Sequence, residues 1–85
     1  MKAKFVNEQL EEDKSVIIDL QSDPRKNGRI LKILKQFYSD VRLGGIGENG
    51  STIITIHDLD ANIEDVSDEL AEYIEDGTIY SVDYL

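Results

Sequence analysis

Apolar and polar residues alternate in the first clear element of this sequence. Residues 15–20 are rich in β-branched side chains and place Val16, Ile18 and Leu20 on one face, which predicts a strand. Asp23 and Pro24 follow, a favoured N-cap residue and a favoured first helical residue. Apolar positions then recur every three or four residues, which predicts a helix that begins at Pro24 or, because glycine weakens the first turn, near residues 27–28. These positions are Ile30, Ile33, Leu34, Phe37 and Val41.

The second half of the chain has the same kind of pattern. Residues 41–46 and 52–57 are predicted strands, and Glu48-Asn49-Gly50 predicts the hairpin turn between them, because Asn-Gly tolerates positive φ. A capping region at 58–62 and helical spacing up to Gly77 predict a single second helix. Residues 78–84 form the last predicted strand. Tyr80, Val82 and Tyr84 would lie on one face of this strand. Ile79, Ser81 and Asp83 would lie on the other.

The order β-α-β-β-α-β predicts an α+β fold of the ferredoxin-like type. Right-handed crossovers would produce a single antiparallel sheet with both helices packed on one face. We therefore expect one domain over residues 15–85. Residues 1–14 fit this pattern least, and we expect an N-terminal arm or an extra edge strand there.

Composition excludes several classes of protein. The chain has 85 residues, no Cys and a formal net charge of -9. Without cysteine there is no disulfide scaffold, thiolate metal site or thiol nucleophile. Two acids for every base disfavour binding to nucleic acid and to anionic membranes. No stretch approaches the ~20 apolar residues of a membrane helix, and the N-terminus lacks an apolar run of signal-peptide length, so we expect a cytoplasmic protein.

The charges are unevenly distributed along the chain. Residues 24–42 have a net charge of +5, whereas residues 43–85 contain eleven acids, no Lys and no Arg. The first predicted helix is therefore basic and the second acidic. The two helices could attract each other across their groove, the acidic one could bind a basic protein partner, or it could mimic nucleic-acid phosphates. The acidic positions are Glu64, Asp65, Asp68, Glu69, Glu72, Glu75 and Asp76.

The predicted sheet leaves one face without helices. The first and third strands are central in this fold, so their outward side chains would be neighbours on the open face. Such a half-apolar face could be covered by a second copy of the chain, by the N-terminal arm or by a partner. It lacks the aromatic and basic side chains that RNA-binding domains place there. The candidate residues are Ile17, Asp19, Ile53, Thr55 and His57.

Two segments match the residue pattern of a known binding motif but lack the structural context that the motif requires. The sequence from Gly45 to Gly50 fits G-x-G-x-x-G, but it precedes a predicted strand rather than a helix, so we expect no nucleotide cofactor and no other cofactor. Part of an EF-hand pattern gives weak metal-ligand candidates, although Ile63 stands where the loop needs glycine. Those candidates are Asp58, Asp60, Asn62 and Glu69.

The first strand-to-helix junction contains Ser22-Asp23-Pro24 and, a little further on, Gly28-Arg29-Ile30-Leu31. These residues resemble the same junction in the ACT domains, although the glycine lies four positions after the proline instead of beside it. That resemblance implies a small-ligand-sensing module that acts as a dimer, with its ligand near residues 23–29. The size, acidity and N-terminus also resemble accessory proteins of tailed bacteriophages.

His57 is the only histidine, and no nucleophile lies near it in sequence, so we expect no enzymatic activity. A small acidic interaction or regulatory domain is the function that the residues favour, and the ACT-like sensor is the alternative.

Overall fold

A computed structural model of the chain describes residues 15–47 and 50–85. The described part is an α+β fold with one four-stranded antiparallel sheet and three helices, so the predicted class is confirmed at that level. The predicted arm or edge strand at residues 1–14 lies outside the described residues. The elements are β1 (Val16–Leu20), α1 (Pro24–Phe37), β2 (Val41–Ile46), β3 (Thr52–Ile56), α2 (Ile63–Glu69), α3 (Ala71–Glu75) and β4 (Ile79–Tyr84).

The sheet has the strand order β2-β3-β1-β4. β1 pairs with β3 on one side and with β4 on the other, both antiparallel. β1 and β3 are therefore the central strands, as the sequence predicts. Among the strands of the described residues, β2 and β4 are the two edges of this sheet.

One face of the sheet and the helices share a single core. Val16, Ile18 and Leu20 of β1 are fully buried, and β3 adds Ile54 and Ile56. Because side chains alternate along a strand, these residues lie on one face of the sheet. Buried side chains from α1 and from the second helical region belong to the same cluster, so both helical regions cover this face. They are Ile30, Leu34, Val66 and Leu70.

α1 begins at Pro24, with Asp23 as its N-cap. The Asp23 carboxylate accepts hydrogen bonds from the backbone N–H of Arg25, at 3.1 Å, and of Lys26, at 3.5 Å. These bonds satisfy two donors that the helix itself leaves unpaired. The later start near residues 27–28 is therefore wrong, since the cap and the proline offset the weak propensity of Gly28.

The single second helix predicted from the sequence is wrong in one respect. The helix is interrupted at Leu70, whose dihedrals of φ -112° and ψ 20° separate α2 from α3. Hydrogen bonds still cross the interruption, from Leu70 N–H to the Val66 carbonyl at 3.0 Å and from Ile74 N–H to the Leu70 carbonyl at 3.1 Å. The Leu70 side chain is fully buried. Apolar spacing continues through the interruption, so periodicity alone does not reveal it.

The strict alternation predicted for the last strand is also wrong. The register between β1 and β4 shifts between Asp19 and Leu20. As a result Ile79 and Val82 both pack against the core, although they are an odd number of residues apart. Tyr80, at the irregularity, is 60% exposed.

The glycine-rich segment forms the end of β2 and the hairpin to β3. Residues 48 and 49 of the predicted turn lie outside the described residues. Gly50 has φ +77°, a conformation that glycine adopts without strain. The segment leads into a strand, so it does not present a helix N-terminus to a nucleotide. None of the helices in residues 15–47 and 50–85 has the length and apolarity needed to cross a membrane.

We expect Leu34→Ala to destabilise the fold by about 2–5 kcal/mol, because the Leu34 side chain is fully buried between α1 and the sheet. The matched variant is Leu43→Ala on β2, where the side chain is 53% exposed, and we expect it to cost less than about 1 kcal/mol. Urea unfolding followed by circular dichroism measures both values. Equal losses in the two variants would contradict this description of the core.

Candidate functional site

The acidic residues of the second helical region fall into two groups. Four of them are exposed, and their carboxylates make no hydrogen bond or ion pair within the described residues. We call these four the acidic stripe. Within each helix the two members are three or four residues apart, so they project from the same side one turn from each other. The acidic stripe consists of Glu64 and Asp68 on α2 and Glu72 and Glu75 on α3.

Two of the remaining acids stabilise helix ends. Asn62 caps α2 by accepting from the backbone N–H of Asp65 at 2.8 Å, and its amide donates to the Asp65 carboxylate at 3.0 Å. Asp76, after α3, accepts from the backbone N–H of Thr78 at 2.8 Å. Hydrogen bonds from Thr78 lower the pKa of Asp76, and the positive charge of Lys26 lowers it further. These acids therefore have local structural roles.

Glu69, the seventh acid, is half-buried against α1. The Tyr38 hydroxyl donates to Glu69 Oε2 at 3.1 Å. Glu69 Oε1 is buried and has no hydrogen-bond partner within the described residues. Burial raises the pKa of Glu69, and the negative charges of Asp65 and Asp68 raise it further, while the hydrogen bond from Tyr38 opposes them. Burial, and then the hydrogen bond to Glu69, raise the pKa of Tyr38.

The basic and acidic helices do not neutralise each other through ion pairs. Across the described ranges the sole ion pair joins Arg42 and Asp40, at 2.9 Å, outside both helices. The Lys26 ammonium group donates a hydrogen bond to the hydroxyl of Thr78, just before β4, at 3.2 Å. The other four cations of α1 are exposed: Arg25, Arg29, Lys32 and Lys35. The described residues therefore show no direct ion pair between the two helices, and attraction between their solvated faces stays a prediction.

The open sheet face brings together most of the residues predicted for it. The register pairs Ile17 with Thr55 and Asp19 with Ile53, and all four are half-buried. His57 follows the end of β3 and is exposed. The described part of the chain places its most exposed large apolar side chains outside the two central strands, and Ile17 and Ile53 are half-buried.

Asp19 and His57 share the open face but do not form a catalytic pair. His57 lies four positions after Ile53, the partner of Asp19, which is about 13 Å along a strand. His57 instead contacts Ser15 Oγ through Nδ1 at 3.1 Å and Thr55 Oγ1 through Nε2 at 3.2 Å. Sequence analysis missed Ser15, because only the strand register places it opposite His57.

The β1–α1 junction is joined to the hairpin by hydrogen bonds. The Ser22 hydroxyl donates to the Gly50 carbonyl at 2.6 Å and lies 3.0 Å from Thr52 Oγ1. A Cβ on Gly47 would clash with Ser51 Oγ and lie 3.3 Å from Asp19 Oδ1, so a larger residue there would require the Ser51 side chain to move. Asp19 Oδ1 is buried and has no hydrogen-bond partner in the described residues.

Three of the four weak metal-ligand candidates have other side-chain partners, and the fourth, Asp60, is exposed. Asp58 accepts from the backbone N–H of Ser39 at 3.3 Å and from that of Asp60 at 3.0 Å. Asn62 caps α2, and Glu69 contacts Tyr38. The described part of the chain contains no group of three or more His, Cys, Asp or Glu residues arranged to hold a metal ion.

A shallow groove of about 180 Å³ lies between the second helical region and the edge strand β4. Sequence analysis did not identify it, because the groove depends on the interruption at Leu70 and on the irregular register of β4. Its lining residues are Ser67, Ile74, Ile79, Tyr80, Ser81 and Val82.

We expect Glu69→Gln to change how stability depends on pH. A raised pKa means that the folded state binds the proton more tightly, so this contribution to stability is complete below the ordinary value of 4.5 and is lost as pH rises through the raised value. The variant lacks this titration, so the free energy of unfolding of Glu69→Gln minus that of the wild type should increase from about pH 4 to about pH 7. Urea unfolding across this range measures it. The control is Glu72→Gln, an exposed acid, and parallel curves for wild type and Glu69→Gln would refute the assignment.

The site residues therefore form an exposed acidic stripe, a half-buried open sheet face and an edge groove. The acidic stripe is the only one of these three surfaces in the described residues whose charged groups are exposed and lack protein partners. Comparison with protein-family models, with curated proteins and with solved structures found no match to this chain.

Proposed function

We propose that this chain is a non-enzymatic protein-interaction domain that binds a basic segment of another protein through the acidic stripe. The observation that supports this function is the set of four exposed carboxylates without partners within the described residues, one pair on each helix of the second helical region. No lysine or arginine occurs anywhere in residues 43–85, so the chain places no cation among them from this region.

The acidic stripe lowers the folding stability of the isolated domain. Like charges one helical turn apart repel each other by about 0.2–0.5 kcal/mol per pair. Glu75 also lies in the last turn of α3, where a negative charge opposes the helix dipole. A cationic partner would relieve both effects, and complementary charge would speed its association.

The fold that we propose for this domain is the ferredoxin-like arrangement, with α2 and α3 together in the place of its second helix. The strand order and the shared core beneath both helical regions support it. This arrangement leaves the helices exposed on their outer side, where a partner could approach the acidic stripe.

The test measures binding of a fluorescein-labelled, lysine-rich peptide by fluorescence anisotropy at about 30 mM NaCl, where screening is weak. Neutralising the acidic stripe should weaken binding about fourfold or more, because four exposed pairs contribute roughly 0.2–1 kcal/mol each. The stripe variant combines Glu64→Gln, Asp68→Asn, Glu72→Gln and Glu75→Gln.

The matched control removes the same number of charges by the same chemistry from the N-terminal residues. We expect this control to weaken binding less than about threefold, since it lowers the net negative charge by the same amount without changing the acidic stripe. Equal losses in both variants would contradict a located site, and so would binding that is unchanged between about 30 and about 300 mM NaCl. The control combines Glu8→Gln, Glu11→Gln, Glu12→Gln and Asp13→Asn.

The second candidate function is an ACT-like module that senses a small polar ligand. The unpartnered buried oxygen of Asp19, beside the hairpin that Ser22 joins to the β1–α1 junction, supports this candidate. A ligand amino group could supply the missing donor. Asp23, at the same junction, already accepts two backbone hydrogen bonds as the helix cap, so it is less available to a ligand than the resemblance implies.

Thermal unfolding with a panel of amino acids and nucleotides tests this candidate. A sensor should gain about 5 °C or more in Tm at millimolar ligand. Asp19→Asn should remove the gain, whereas the matched variant Asp60→Asn should keep it. If no compound raises Tm, or if Asp19→Asn responds as the wild type does, the ligand-sensing function is wrong.

A further inference from the structure

The groove between the second helical region and β4 has two walls on the helix side of the sheet. Ser67 of α2 and Ile74 of α3 form the helical wall. They are seven residues apart, which is about two turns of an α-helix, and backbone hydrogen bonds continue across Leu70 between them, so both lie on one side of the helical region. The strand wall is the run from Ile79 to Val82, whose two end residues pack against the core.

The groove is apolar and small. All six of its lining residues are uncharged, and two of its apolar side chains are in contact with water, since Ile74 is 37% exposed and Tyr80 is 60% exposed. Its volume of about 180 Å³ is below the roughly 300–1,000 Å³ of small-molecule sites. The groove therefore suits one aliphatic side chain better than a whole ligand.

Carboxylates of the acidic stripe border the helical wall. Glu64 lies three residues before Ser67, which places the two side chains one turn apart on the same side of α2, and Glu75 directly follows Ile74. Both acids are exposed. Glu72, by contrast, lies two residues before Ile74, about 200° around the helix, and so projects away from the groove. A side chain in the groove would therefore have negative charge on its helical side.

Other exposed apolar side chains lie in a different electrostatic setting. Phe37 is the last residue of α1, whose four exposed cations would repel a basic segment. Leu43 and Ile46 lie on β2. The ion pair of Arg42 with Asp40, at the start of that strand, carries no net charge. Charge therefore distinguishes the groove from these surfaces, and a basic segment with an apolar residue is the occupant that complements it.

We propose that the groove binds one aliphatic side chain of the basic partner segment, while lysine or arginine residues on either side of it in the segment reach Glu64 and Glu75. This inference rests on the proposed function and adds to it the kind of sequence that is recognised, an apolar residue flanked by cations. The carboxylates attract the segment, and the groove selects it by burying apolar surface, a contribution that salt does not screen.

The experiment compares two fluorescein-labelled peptides of equal charge by fluorescence anisotropy. Each has four lysines around one central residue, which is leucine in one peptide and alanine in the other. The leucine peptide should bind at least about fivefold more tightly at about 30 mM NaCl, because its longer side chain buries more apolar surface in the groove. Raising NaCl to about 300 mM should weaken the binding of both peptides and leave this ratio unchanged.

Matched variants of the protein test the groove. Ile74→Ala removes apolar surface and Ser67→Leu fills the groove from its helical wall, so each should reduce the preference for leucine to less than about twofold. Leu59→Ala removes an exposed apolar side chain that also lies between two acids, Asp58 and Asp60, but outside the groove, and it should keep the preference. Thermal unfolding without peptide verifies that each variant is folded.

The outcomes separate this inference from the function on which it rests. Equal binding of the two peptides, or an unchanged preference for leucine in both groove variants, would overturn the groove assignment even if the stripe variant still lost binding. Failure of both peptides to bind at about 30 mM NaCl would overturn both proposals. NMR contacts of the Ile74 methyl groups in the free chain with residues 1–14, or with a second copy of the chain, would show a different occupant and overturn the inference.

Discussion

The pairing of β1 on both sides is the constraint on which the rest of the structure depends. β1 is hydrogen-bonded to β3 and to β4, and its side chains at Val16, Ile18 and Leu20 are completely buried beneath the helices. Shifting this register by one residue would turn three apolar side chains out of the core. Both edges and the open sheet face are therefore positioned by one five-residue strand.

The helical layer that covers this core separates charge instead of pairing it. α1 presents exposed cations and the second helical region presents the acidic stripe, and no described ion pair joins them. Tyr38, the residue after α1, donates a hydrogen bond to Glu69 of α2. Burial raises the pKa of both side chains. The four carboxylates of the acidic stripe have no partner within the described residues, and the proposed protein-interaction function is based on them.

Much of the fold was predictable because local patterns and tertiary packing agree. Alternation indicated β1, and an N-cap with a proline marked where α1 begins. Periodicity failed at Leu70, since a buried residue fits a continuous helix and an interrupted one equally well. Alternation along β4 also failed at Tyr80, because a bulge adds a residue to one strand without changing the apolar composition.

The sequence by itself determined the strands, the order of elements and the concentration of acids in residues 43–85, since these follow from periodicity and composition. Only the tertiary structure decided which acids are available. It assigned Asp65 and Asp76 to local hydrogen bonds and Glu69 to a hydrogen bond with the remote Tyr38, and it left the acidic stripe exposed. It also separated Asp19 from His57 and placed Ser15 beside that histidine, because distances between strands depend on register, which is formed by pairing between segments remote in sequence.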